Sequence, residues 1–167
     1  MSKRIIQGMH EEKISGGYLV LIRFTLGMSF FTTWLSNLAK GAFTSSGFID
    51  TISYFIDHPD HVVTPFDSVI RNVAFPNATF FGLSWFFVEL FISLSLIFGV
   101  FTRLGSLIGA GSTIILALGA LGVDWPWTYG LLFVGFITCA FISAGKWYGL
   151  DYWLKDKIPH RIRKFVI

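Results

Sequence analysis

Four long apolar runs, separated by polar punctuation, organise this chain. An α-helix rises 1.5 Å per residue, so crossing the hydrocarbon of a bilayer takes about 20 predominantly apolar residues. The first run, about 18–38, contains Arg23, Trp34 and Asn37. The second, about 79–100, carries a single charge, Glu89. The third, about 104–123, has no charge and is rich in small residues, and the fourth, about 127–144, ends at Gly145-Lys146. Only Asp124-Trp125-Pro126 separates the last two, a tight turn with interfacial aromatics. The pattern predicts an all-α integral membrane protein, an antiparallel four-helix transmembrane bundle forming a single membrane domain over residues 1–167.

The connection of about 39–78 is too long for a bundle turn. Residues 47–56 space their apolar side chains like an amphipathic helix, and 62–75 hold a second apolar patch. Both are too short to span, so two short interfacial or re-entrant helices are expected at the outer mouth. Long structured loops are more often functional than idle. The tail beyond residue 145 mixes Trp153, Ile158, Ile162 and Phe165 with basic residues, which suits an anionic inner membrane surface or a partner subunit.

Composition agrees with lipid as the solvent. Hydrophobic residues make up 53% of the chain and charged residues 14%, against about 25% charge in soluble domains. The net charge of +3 matters less than its placement. Ten Lys and Arg flank the runs on one side (Lys3, Arg4, Lys13, Arg103, Lys146, Lys155, Lys157, Arg161, Arg163, Lys164), and two, Lys40 and Arg71, on the other. The positive-inside bias therefore predicts a multi-pass protein of the cytoplasmic membrane with both termini cytoplasmic and Asn72 outside. The single Cys excludes a disulfide framework and a Cys-ligated zinc site or iron–sulfur cluster held by this chain alone. His10, His58, His61 and His160 all lie outside the runs, which excludes a bis-His haem within the bundle. No phosphate-cradling glycine loop is present, so no flavin site is evident. The partners expected are the bilayer and other membrane subunits, with no nucleic acid.

A charge inside a bilayer costs several kcal/mol unless paired or hydrated, which makes it a functional-site hypothesis by default. Glu89 falls mid-run. Arg23, Gly27, Phe30, Trp34 and Asn37 form one stripe at helical spacing, and Gly82, Trp85, Glu89 and Ser93 form another. Facing each other, the stripes would make a pocket of an acid, a guanidinium, an amide and two indoles, suited to binding a quinone ring and moving its protons. The competing reading is an Arg–Glu or Asn–Glu pair that only locks helix register. His58 and His61, among Asp57, Pro59 and Asp60, are weak metal candidates, because Pro59 breaks the helix that would align both imidazoles. The small residues of the third run, including Gly105 and Gly109 in a GxxxG match, favour close helix contact within the bundle or with another chain. Cys139 reads as packing.

Several landmarks together resemble a known family. Leu21-Ile22-Arg23-Phe24-Thr25-Leu26-Gly27 is followed by Asn37-Leu38-Ala39-Lys40; Val88-Glu89-Leu90 leads to Gly99-Val100-Phe101-Thr102-Arg103-Leu104; and the chain leaves the fourth run through Ala144-Gly145-Lys146-Trp147-Tyr148-Gly149-Leu150-Asp151. Over about 18–153 this order resembles the DoxX family, including the DoxD-type subunit of thiosulfate:quinone oxidoreductase. The resemblance implies a four-helix membrane subunit that links oxidation of thiosulfate or a related small sulfur compound to quinone, with quinone as substrate. It marks Arg23, Lys40, Glu89, Arg103 and Asp151 as the family-matching polar positions. Catalytic roles for Glu89 and Arg23, and substrate or quinone contacts for Trp34, Asn37, Lys40, Trp85, Arg103 and Asp151, are the expectations to compare with the structure. The alternative is a noncatalytic accessory subunit that stabilises a larger membrane enzyme.

Overall fold

The first apolar run holds no proline and forms one uninterrupted helix, α1 (Gly16–Ala39), in the computed structural model of the chain, which describes residues 16–142, 144–154 and 156–159. The basic arm before residue 16 and the tail beyond 159, with Arg161, Ile162, Arg163, Lys164 and Phe165, lie outside the described residues. After α1 the backbone turns through Gly41 at φ +71°. Thr44 then caps α2 (Ser45–Ile56), its hydroxyl accepting the Gly47 N–H at 3.1 Å. The amphipathic segment expected from residue 47 is thus a helix. Its Phe48 is buried against Ala74 and Ala78, with Phe81 packed beside them.

The second loop patch is not a separate short helix. From α3 (Thr64–Val69) the chain passes through a π-helical stretch, Ile70–Ala74, and a 3-10 turn, Phe75–Asn77, directly into α4 (Ala78–Phe98). The reason is local: Pro76 has no N–H to give to the carbonyl four residues back, so the helix widens rather than stops. The Phe75 N–H reaches the Ile70 carbonyl instead. The resulting helical run Thr64–Phe98 is 35 residues long, about 52 Å, well beyond a hydrocarbon thickness of about 30 Å.

Among the described residues, three helices are long and apolar enough to cross a membrane: Gly17–Ala39, Thr64–Phe98 and Thr102–Ala120. The last of these is α5 (Thr102–Ala120). The fourth run forms α6 (Pro126–Ile142), apolar but only 17 residues long. A 3-10 turn, Ala144–Lys146, and a short α7 (Asp151–Leu154) follow. No strand occurs among the described residues.

Polarity is arranged as expected for a protein in lipid. Large apolar side chains such as Phe87 and Phe141 are 58% and 74% exposed, while Ser93, Thr102 and Ser106 are fully buried. Two inner hydroxyls bond the helix backbone, Ser93 Oγ to the Glu89 carbonyl at 2.6 Å and Thr113 Oγ1 to that of Gly109 at 2.8 Å, whereas Thr102 Oγ1 and Ser106 Oγ find no partner among the described residues. α1 packs chiefly on α4, and α5 chiefly on α6. Leu26 and Phe30 of α1, Ile92 and Leu96 of α4, and Phe136 and Cys139 of α6 share one core, in which Phe30 meets Phe136 edge-on with ring centroids 5.1 Å apart. Cys139 is packing, as its place in the sequence suggested. The GxxxG pair is spent inside the chain: a Cβ on Gly109 would strike the Phe136 ring, and one on Gly105 the Ser95 side chain.

Candidate functional site

The two stripes do meet, at Glu89. Asn37 of α1 donates its Nδ2 to both carboxylate oxygens, at 3.1 Å each. Trp85, one turn before Glu89 on α4, donates Nε1 to Oε1 at 2.7 Å. Glu89 is 3% exposed, and these neutral N–H groups are the donors that hold it. An amide and an indole satisfy a carboxylate without neutralising its charge.

Aromatic rings wall the site. Trp34, one turn before Asn37, lies near-parallel to Phe31 at 5.9 Å and against Phe86 of α4 at 5.2 Å. Phe43, from the turn after α1, meets Phe86 edge-on at 5.2 Å. That turn comes close enough only because position 82 is glycine: a Cβ there would lie 2.6 Å from the Phe43 carbonyl oxygen. Trp34 Nε1 is buried and finds no hydrogen-bond partner among the described residues. A buried indole N–H normally has an acceptor, so this one is open to an acceptor brought by a ligand. Phe43 and Phe86 were not singled out from sequence; Phe86, three residues before Glu89, is within reach of the stripe spacing, whereas Phe43 sits in a turn that no periodicity flags. Lys40 is exposed just past the end of α1.

Arg23 does not join this cluster. It lies about 21 Å back along α1 from Asn37 at 1.5 Å per residue. There its Nη1 donates to the carbonyls of Ala144 and Trp147, at 3.3 and 3.4 Å. The Arg–Glu pair that the stripes allowed is therefore not formed; the Asn–Glu pair is. Asp151 belongs with Arg23. Its carboxylate accepts the Phe101 N–H at 2.7 Å and the Thr102 N–H at 3.0 Å, closing the start of α5, while its own N–H and that of Leu150 reach the Gly99 and Phe98 carbonyls at 2.8 and 3.1 Å. Gly99 caps α4 in the left-handed region at φ +66°, and a Cβ there would strike the Arg23 guanidinium. Burial pushes the Asp151 carboxyl above the usual carboxylate range, opposed by the Thr102 and Phe101 hydrogen bonds and the Arg23 charge. Arg103, half-buried in the first turn of α5, is the nearby basic neighbour in sequence.

The histidines of the connection between α2 and α3 bond elsewhere. His61 Nε2 is 2.7 Å from Asp67 Oδ1, and the backbone N–H of Asp60 reaches His58 Nδ1 at 3.3 Å. Arg71 pairs with Asp57 nearby. Among the described residues no three His, Cys, Asp or Glu gather as metal ligands.

Set beside known protein families, residues 18–167 match the model described as DoxD, TQO small subunit DoxD. No curated protein and no solved structure matches the chain.

Proposed function

The chain belongs to the DoxD family, and from that premise we propose that it is the quinone-side membrane subunit of a complex that couples oxidation of thiosulfate, or a related small sulfur compound, to quinone reduction. Family membership makes it a membrane subunit of the thiosulfate:quinone oxidoreductase type, and its long apolar helices make it an integral membrane protein in contact with lipid. The observation that carries the finer reading is the Trp34 N–H, buried and without an acceptor among the described residues, one helical turn from the Asn37–Glu89 contact.

In this reading a quinone ring lies against the Trp34–Phe86 wall, one carbonyl accepting from Trp34 Nε1. Reduction of a quinone to the quinol takes two electrons and two protons, one on each ring oxygen; protonated Glu89 delivers one of them to the ring oxygen nearest it and becomes the carboxylate, and the second proton, like the one that restores Glu89, comes from water. Asn37 and Trp85 hold the carboxylate in place whichever form it takes. Lys40, exposed beyond α1, attracts the sulfur anion on the outer side. Arg23 and Asp151 act on the fold, not on the substrate. The electrons reach the site from a redox centre on another subunit.

We further propose that α1, α4, α5 and α6 cross the membrane as an antiparallel bundle, with α2 and α3 at the outer interface and both termini cytoplasmic. Gly27 would abut Ile97 while Asn37 bonds Glu89, so residue numbers rise along α1 as they fall along α4, which supports that arrangement. The flank charges support the orientation.

The test is Glu89→Gln in the assembled complex. The quinone-site reading expects assembly to persist and turnover with a quinone analogue to fall at least about a hundredfold, the scale of a lost general acid. An assembled, fully active variant would favour the accessory-subunit reading instead.

A further inference from the structure

Away from the Glu89 cluster, the outer halves of α5 and α6 leave a groove of about 280 Å³ between them, lined almost entirely by apolar atoms. Small residues make the room. Ala117 lines it, and a Cβ added at Gly130 would meet nothing within 4 Å. One end carries a strongly polar pair: the Tyr129 hydroxyl donates to Asp124 Oδ2 at 2.8 Å, and Asp124 is otherwise exposed. Trp125 and Trp127, 72% and 62% exposed, flank that end and mark the level of a membrane interface.

We propose that this groove is a phospholipid site, holding one acyl chain between α5 and α6 while an amine-bearing headgroup sets its ammonium against Asp124. An apolar slot on helices immersed in lipid is filled by hydrocarbon, since water there would have too few polar partners. The acid at its mouth selects among headgroups: it attracts an ammonium and repels a headgroup whose net charge is negative. The groove is distinct from the Glu89 cluster, which lies between α1 and α4. The inference rests on the proposed crossing of the membrane by α6, but not on any quinone chemistry.

The experiment reads lipid retention. The protein, with the subunits that co-purify, is placed in nanodiscs of equal phosphatidylethanolamine and phosphatidylglycerol, re-extracted in mild detergent and weighed by native mass spectrometry. Wild type is expected to keep phosphatidylethanolamine over phosphatidylglycerol by about twofold to fivefold, the range of a partly exposed ion pair. Gly130→Leu, which fills open space, should lose that lipid. Asp124→Asn, a change at an exposed residue, should keep a lipid but bind both headgroups equally, and it decides the matter alone if Gly130→Leu does not fold. Equal retention of the two lipids by wild type, retention by Gly130→Leu unchanged from wild type, headgroup preference unchanged in Asp124→Asn, or a bound quinone in the lipid's place would each overturn the proposal. Quinone turnover is expected to be unchanged in Asp124→Asn, so loss of the lipid site and loss of the quinone reading are separable.

Discussion

Glu89 and Asp151 are both acids almost wholly removed from solvent, at 3% and 0% exposure, and both accept N–H donors. The donors of Asp151 are backbone amides at a chain reversal, so its carboxylate is committed to holding the start of α5 against the segment after α6. The donors of Glu89 are side chains from two helices, with an unsatisfied indole N–H one turn away. Burial alone does not distinguish a functional acid from a structural one. In the proposed reading the kind of donor does: the backbone donors of Asp151 close a chain reversal, whereas the side-chain donors of Glu89 come from two helices that would flank the quinone ring.

The largest expected effect is on the structural side. Asp151→Ala leaves the Phe101 and Thr102 N–H groups without their acceptor, and two hydrogen bonds to a charged group are worth roughly 3–6 kcal/mol together. Such a loss would appear as a steep fall in thermal stability of the purified protein; an unchanged melting point would erase the contrast with Glu89. Glu89→Gln comes next, with melting close to wild type and turnover reduced by about a hundredfold or more. If stability and activity fell together, Glu89 would be a second structural acid.

Trp34→Phe keeps the ring wall and removes only the open N–H. A single hydrogen bond of about 1 kcal/mol sets the scale, so KM for a short-chain quinone should rise about fivefold with stability unaltered. No change in KM would remove quinone from that position. The smallest effect concerns pH. Because burial raises the Asp151 carboxyl in the folded protein, the folded state holds that proton to higher pH than the unfolded state does. Stability from this group should therefore decline as pH rises from the ordinary carboxylate range through the raised value, and level off above it. Comparison of melting curves for wild type and Asp151→Asn across that window measures the slope, which the variant should lack.

Much of this arrangement was legible in the sequence because a bilayer imposes simple rules. The apolar runs located the long helices to within a few residues, and the 3-4 spacing placed Asn37, Trp85 and Glu89 on faces that do meet. The resemblance to the DoxX and DoxD proteins carried by Gly99–Arg103 and Gly149–Asp151 agrees with the family the chain belongs to, and the structure gives those motifs a physical reason: they bond to each other at the start of α5. The stripe placed Arg23 on the same face of α1 but could not say that about 21 Å of helix would carry it to another set of partners. Nor could apolar periodicity reveal that Pro76 widens a helix instead of ending one, since both outcomes leave the same pattern of side chains. Phe43 reaches the site through a backbone turn against Gly82, a tertiary contact with no sequence period.

The location of the quinone ring is the central claim, and a photoreactive short-chain quinone tests it most directly. After irradiation of the assembled complex, adducts mapped by mass spectrometry should fall within 30–37 of α1 and 82–89 of α4 and disappear when unlabelled quinone is in excess. Adducts confined to other segments, or labelling of these two that excess quinone does not compete away, would contradict it.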